Sequence, residues 1–157
     1  MRHKKVEKRK VAPDSLYNSV LVTKFTNNLM QDGKKTVAQN IIYKTFEILA
    51  KDGQNPLELF EKALQNVGPR QEVKAKRVGG ANYQVPIEVR GDRKMALAMR
   101  WIIEAARAKS NKEYHTFEQK LAHEITSALN NEGAAVKRRD TAHRMAEANR
   151  AFAHFRH

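Results

Sequence analysis

Residues 72–94 read E-V-K-A-K-R-V-G-G-A-N-Y-Q-V-P-I-E-V-R-G-D-R-K, and this stretch decides the fold. Two alternating segments flank Gly79-Gly80-Ala81-Asn82, which predicts a β-hairpin at about 72–91 with its turn on those four residues. Val73 and Ala75 alternate with Lys74 and Lys76. Tyr83, Val85, Ile87 and Val89 alternate with Gln84, Pro86, Glu88 and Arg90. Pro86 offers no N–H to a ladder, so its strand belongs at an edge or in a free two-stranded ribbon. The chain on either side has helical periodicity. A lone basic ribbon on a helical body builds no sheet core and reads as an arm that reaches a polyanion.

Working outward, the spacing predicts a helix over 19–32, with Leu21, Phe25 and Leu29 inward and Gly33 as its stop. A second helix is expected over 36–52, with Val37, Ile41, Phe46, Ile48 and Leu49 inward and Gly53 closing it. The third has the clearest ends: Asn55 as cap, Pro56 at the first position, Glu58 three residues after the cap, and Gly68-Pro69 as the break. Leu57, Phe60, Leu64 and Val67 form its stripe. Past the hairpin, Asp92 is expected to cap a fourth helix with Met95, Met99, Ile102 and Ala106 inward. Trp101 and Ile103 widen that face, so this helix is expected at the centre. Thr116 with Gln119 reads as a capping box for a fifth, lined by Phe117, Leu121, Ile125 and Leu129. A sixth, over 134–152, is polar and shallow, with Val136, Met145 and Phe152 its few large apolar residues. The expected fold is mainly α: a single-domain bundle of about six helices over 14–157, one protruding β-hairpin, and a disordered basic arm over 1–13.

Charge narrows the partner. The 157 residues carry 30 Lys plus Arg against 17 Asp plus Glu, a net charge of +13. Residues 1–13 hold six basic residues and one acid, and residues 14–72 hold seven of each. Residues 73–133 hold eleven against seven, and residues 134–157 six against two. A neutral stretch therefore separates three basic devices, which is the pattern of a nucleic-acid binder. The cations fall into groups. Arg2, Lys4, Lys5, Lys8, Arg9 and Lys10 form the arm. Lys34 and Lys35 sit at a turn. Lys74, Lys76, Arg77, Arg90, Arg93 and Lys94 surround the hairpin base. Arg100, Arg107 and Lys109 follow the fourth helix, and Lys137, Arg138, Arg139 and Arg144 open the sixth. Dispersal over several elements suits a folded RNA better than one recognition helix in a groove.

Other classes find little support. No apolar run approaches the ~20 residues of a membrane span, and residues 1–13 show no apolar secretory segment. The chain has no cysteine, which excludes disulfides, thiol catalysis and Cys-ligated zinc. Gly33-Lys34-Lys35 lacks the spacing and the Ser or Thr of a phosphate loop. His154 and His157 have no third ligand at metal spacing, and Asp140 with His143 has no nucleophile beside it. No enzyme activity, metal, cofactor or small-molecule substrate is expected. Tyr83 has two open readings: a base-stacking ring, or a cross-strand partner of Ala75. Phe152 and Phe155 also have two, an exposed anchor for a protein neighbour or a return onto the helical core.

R-V-G-G-A-N-Y-Q-V-P-I-E-V-R at 77–90, M-A-L-A-M-R-W-I-I-E-A-A-R at 95–107, D-G-K-K-T-V-A-Q at 32–39 and H-R-M-A-E-A-N-R-A-F-A-H-F at 143–155 strongly resemble the bacterial-type small-subunit ribosomal protein seven family. The resemblance covers essentially the whole chain. It implies a helical protein with a protruding hairpin that binds the 3′ major (head) domain of small-subunit ribosomal RNA and nucleates head assembly. It also implies a place near the exit-site tRNA and the mRNA path, and repression of its own operon in some bacteria. Under it the arm, Lys34, Lys35, the hairpin-base cations, Arg107 and Lys109 become ribosomal RNA contacts. Gly79, Gly80, Ala81, Asn82, Tyr83, Arg138, Arg139 and Arg144 lie towards tRNA and mRNA, and Phe152 and Phe155 meet a neighbouring head or platform protein. Two departures stand out: the arm opens R-H-K-K, and Asn111 to His115 lengthens the connection before the fifth helix. They leave lineage open, and with it a cytoplasmic or an organellar ribosome. A nucleoid-type DNA binder is the alternative class, since β-arms and basic helices give a similar composition.

Overall fold

A computed structural model describes residues 10–156 of the chain. Arg2, Lys4, Lys5, Lys8 and Arg9 of the expected arm lie outside the described residues. The chain forms two compact units, Met1–Asn40 and Ile41–His157.

In the first unit Asp14 is buried because its carboxylate accepts the N–H groups of Leu16 (3.1 Å) and Tyr17 (3.2 Å), folding the chain ahead of the first helix. Helix α1 spans Val20–Leu29 and buries Val22, Phe25 and Leu29. It stops short of the expected Asp32. Met30 is extended, and Asp32 and Gly33 take positive φ of 52° and 72°, which makes a turn of Gln31 to Lys34.

Helix α2 spans Lys35–Leu49, and a 3₁₀ turn, Ala50–Asp52, carries it to Gly53, which closes it at φ 73°. Its buried row is Ala38, Ile42, Phe46 and Leu49, and Val37 is 54% exposed. The expectation for Val37 is thus corrected. Two apolar rows lie side by side on this helix, and the row carrying Phe46 faces inward because an aromatic ring buries most area.

In the second unit α3 (Pro56–Val67) begins as its sequence requires. Asn55 Oδ1 accepts the Leu57 N–H at 3.1 Å, and Asn55 Nδ2 donates to Glu58 at 3.0 Å. Phe60, Ala63, Leu64 and Val67 are buried, and the Phe60 ring lies 5.5 Å from that of Phe46. Helix α4 (Gly91–Ala108) packs on α3 and on the next two helices, α5 (Phe117–Leu129) and α6 (Ala134–Ala148), so it is central as expected. It buries Met99, Ile102 and Ala106, with Trp101 and Ile103 on the widened face. Arg90, not Asp92, holds the cap position; Asp92 lies in the first turn, where its charge favours the helix dipole. The capping box of α5 is present, with Thr116 and Gln119 bonded reciprocally.

The hairpin pairs β1 (Gln71–Val78) with β2 (Ala81–Glu88) antiparallel, from Gln71↔Glu88 to Val78↔Ala81. Its turn has two residues, not four: Gly79 (φ 57°) and Gly80 (φ 90°) take it alone, and Ala81 and Asn82 belong to β2. Positive φ at both positions matches the twist of the strands and suits glycine. Tyr83 sits opposite Lys76, not Ala75. The ribbon is not bare. Val85 is buried, β1 packs on α6, and β2 packs under a C-terminal 3₁₀ segment, Arg150–Arg156. α6 itself buries Ala135, Val136 and Ala146, while Met145 is 52% exposed.

Candidate nucleic-acid interface

The cations divide by what their side chains already hold. Four of the expected RNA contacts are engaged inside the protein. Lys109 Nζ stands 2.9 Å from Glu124 Oε2 and forms an ion pair with it. Glu124 is fully buried, and its other oxygen accepts the Ala135 N–H at 3.0 Å, at the start of α6. A buried carboxylate is tolerated there because an ammonium and a helix N-terminus both face it. Arg138 pairs with Glu104 and lies 5.8 Å from the centre of the Trp101 ring. Arg139 bonds to Asp140 (2.8 Å), to the Asn66 carbonyl (2.6 Å) and to Asn131 (3.2 Å). Lys76 donates to the Phe155 carbonyl at 2.8 Å. Lys109, Arg139 and Lys76 therefore fasten the fold, while Arg138, 54% exposed, is paired at the surface and keeps a charge on view; their sequence positions alone do not make them RNA contacts.

A fifth, Arg93, grips Glu72 through two bonds of 2.6 and 2.8 Å, which tie the base of β1 to α4. The bond and the charge of Glu72 raise the guanidinium above its usual range. Half of that side chain still faces solvent, so the pair stiffens the base of the hairpin and leaves a charge on view.

The remaining set is outward. Lys10, Lys35, Lys74, Arg77, Arg90 and Arg144 are exposed, and none has a carboxylate within ion-pair reach among the described residues. Lys34 is exposed and touches Asp32 loosely at 3.8 Å. Arg107 is exposed on the last turn of α4. In the second unit the outward cations of this set comprise Lys74 and Arg77 on the hairpin, Arg90 at the start of α4, Arg107 at its end and Arg144 on α6. The tip, Gly79, Gly80, Ala81 and Asn82, is exposed.

Tyr83 is not an open stacking ring. Its centroid lies 5.2 Å from Phe152 and 5.0 Å from Phe155. Those two rings, expected either as exposed anchors or on the helical core, instead cover the hairpin and are half-buried. Their reason is local: Tyr83 and Val85 share one face of β2 and need a cover.

Sequence reading missed Arg70, His143, Lys120 and Glu124. The Arg70 N–H donates to His143 Nε2 at 2.9 Å, fastening the start of β1 to α6. Burial, and then the charge of Arg139, push the His143 imidazole below its ordinary range, with Arg70 and Lys94 adding to this and Asp140 opposing it. Lys120 is buried and donates to the Lys109 carbonyl (2.6 Å) and to Asn111 (2.5 Å), which secures the long connection before α5. Arg70 and His143 are 73 residues apart, and no local pattern announces such a bond. Among the described residues no group of His, Asp or Glu is placed to hold a metal ion, and no helix is long and apolar enough to cross a membrane.

Comparison with known proteins gives the same direction at full length. The family model described as ribosomal protein S7p/S5e matches residues 1–150. The small ribosomal subunit protein uS7 of Thermosipho melanesiensis is 55% identical over 157 residues, covering 99% of each chain. That of Desulfotalea psychrophila is 56% identical over 158 residues, covering 99% of this chain and 98% of its own. That of Thermotoga maritima is 53% identical over 157 residues, covering 99% of each. With its helical body, two-stranded ribbon and outward cations already described, this chain belongs to the ribosomal protein S7p/S5e family.

Proposed function

We propose that this protein is a structural, non-enzymatic component of the small ribosomal subunit that binds the 3′ major domain of its ribosomal RNA and organises the head. The observation that carries the reading is the near-full-length family match. The outward cations on the hairpin and the start of α4 support it. Lys74 and Arg77, on opposite faces of β1, and Arg90 at the start of α4 offer exposed charge to phosphates, and Lys34 and Lys35 offer a second basic turn. Phosphate contacts position a protein on RNA without reading bases, and each releases counterions, so affinity falls steeply with salt. Family membership favours this over a nucleoid-type DNA binder.

The exposed tip, Gly79 to Asn82, and Arg144 are the groups proposed to lie beside exit-site tRNA and mRNA, with neighbouring head and platform proteins around them. Repression of the protein's own operon, where it operates, would use the same outward cations on its messenger. The decisive experiment has two arms. Sedimented subunits from the source cells should carry the chain with the small one; recovery with the nucleoid instead would sink the reading. In vitro, a transcript of the 3′ major domain should bind more tightly than equal lengths of the other domains at one salt concentration.

A further inference from the structure

A polar cleft of about 350 Å³ opens where the end of α3, the start of β1, α4 and α6 meet. Asn66, Arg70, Lys94, Arg139, Asp140 and His143 line it. Three permanent cations face one carboxylate, and that carboxylate is spent on Arg139 at 2.8 Å. Arg70 and Lys94 have no carboxylate within ion-pair reach among the described residues. Like charges held together in a recess repel one another, and an anion placed between them removes that cost.

The Lys94 stem is held in place, and Arg70 is exposed with its backbone fixed. The Arg70 backbone is fastened to His143 through the 2.9 Å bond. The Lys94 stem lies along Gly68, where a side-chain carbon would meet Lys94 Cε at 2.6 Å and Cγ at 2.7 Å. Glycine at 68 therefore lets the lysine lie across the floor of the cleft. Burial first, and then the charges of Arg139, Arg70 and Lys94 against that of Asp140, hold the His143 imidazole beside them below its ordinary range.

We propose that this cleft is a phosphate site, held by Arg70 and Lys94, that takes one backbone phosphodiester of RNA. It deepens the RNA-binding reading above and rests on it for the source of the phosphate. Its chemistry is that of two cations on anionic oxygens. It needs the folded protein, since its parts come from four elements and from residues as far apart as Asn66 and His143.

The test uses the full chain and reads His143 by NMR as pH is varied, in inorganic phosphate and in chloride at matched ionic strength. Phosphate in the cleft should raise the titration midpoint of His143, because a nearby anion favours the imidazolium. An RNA fragment of the 3′ major domain without terminal phosphates should raise it too. In the Arg70→Ala, Lys94→Ala double variant both shifts should vanish, while Arg70→Lys should keep them. The double variant should bind the fragment with a salt slope smaller by roughly 0.7–0.9 units, the share of one phosphate contact. A His143 that ignores phosphate, together with a wild-type slope in the double variant, overturns the site and leaves the family reading standing. A shift with inorganic phosphate but none with RNA overturns the RNA backbone as its occupant. No binding of the fragment by the unaltered protein would instead count against the reading on which the site rests.

Discussion

Two sets of cations sit in the second unit and do opposite work. Around α4, α5 and α6, Lys109, Lys120 and Arg138 each meet a carboxylate, a carbonyl or an amide oxygen of the protein, as Arg139 does against the end of α3. On the hairpin and at the start of α4, Lys74, Arg77 and Arg90 meet solvent. Both sets look alike in sequence, as short basic clusters on regular elements. The difference is what the fold brings opposite them. Charge that is satisfied internally contributes rigidity, and charge that is left outward attracts a polyanion. A count of Lys and Arg cannot separate the two.

Four experiments can break or sharpen that contrast. The largest effect is expected at Glu124. Glu124→Ala strands Lys109 and frees the Ala135 N–H, and breaking a buried pair typically costs about 3–5 kcal/mol. Denaturant unfolding should show it, with RNA contacts on the hairpin affected only through the fold. A loss below about 1 kcal/mol would mean the junction is not held by this pair.

Next comes the outward set. Replacing Lys74, Arg77 and Arg90 together by Ala should leave unfolding within about 0.5 kcal/mol of the original per site. Affinity for the 3′ major domain should fall roughly a hundredfold near 0.1 M salt, from about 0.7 logarithmic units per contact. If stability drops while the salt slope holds, the two sets have been assigned the wrong way round.

The hairpin cover is smaller. Ending the chain after Asn149 removes Phe152 and Phe155, whose contacts with Tyr83 are each worth roughly 0.5–1.5 kcal/mol. Amide exchange should quicken in β2 around Tyr83 and stay slow in α3, α4 and α5. Unchanged exchange in β2 would show that the rings do not hold the ribbon.

The smallest effect is a pH dependence. His143 is held below its ordinary range, so the unfolded chain binds the proton more readily than the folded one. The resulting stability is fully present above the unfolded value of about 6.5 and is lost as pH falls from there towards the folded value. His143→Gln should flatten the slope of stability against pH in that window. A slope that survives the substitution would trace to another group.

How far the sequence reaches is visible in particular residues. The caps of α3 and α5 are legible because their partners lie within three residues: Asn55 with Leu57 and Glu58, Thr116 with Gln119. The hairpin is legible from alternation and paired glycines, although its turn is half the expected length. The inward face of α2 is not, since two apolar rows compete and packing alone chooses. The roles of Lys109, Arg139 and Tyr83 are not either, because their partners lie 15, 73 and 72 residues away. Of the candidate site, the exposed hairpin cations and tip were readable as surface. The cleft at Arg70 and His143 was not, since it exists only once four elements have met.

The bond from Lys76 to the Phe155 carbonyl spans 79 residues. Closing a free loop of that length in one step is entropically costly and slow. The bond between Arg70 and His143 changes this, because it already sets α6 beside β1. Once it exists, the segment left to close runs only from His143 to Phe155. The expected order is that α6 docks first and the aromatic cover closes behind it, which pulse-labelled amide exchange during refolding would check. Opening runs in reverse, so the cover should be the earliest cooperative piece of this protein to come away and the quickest to return.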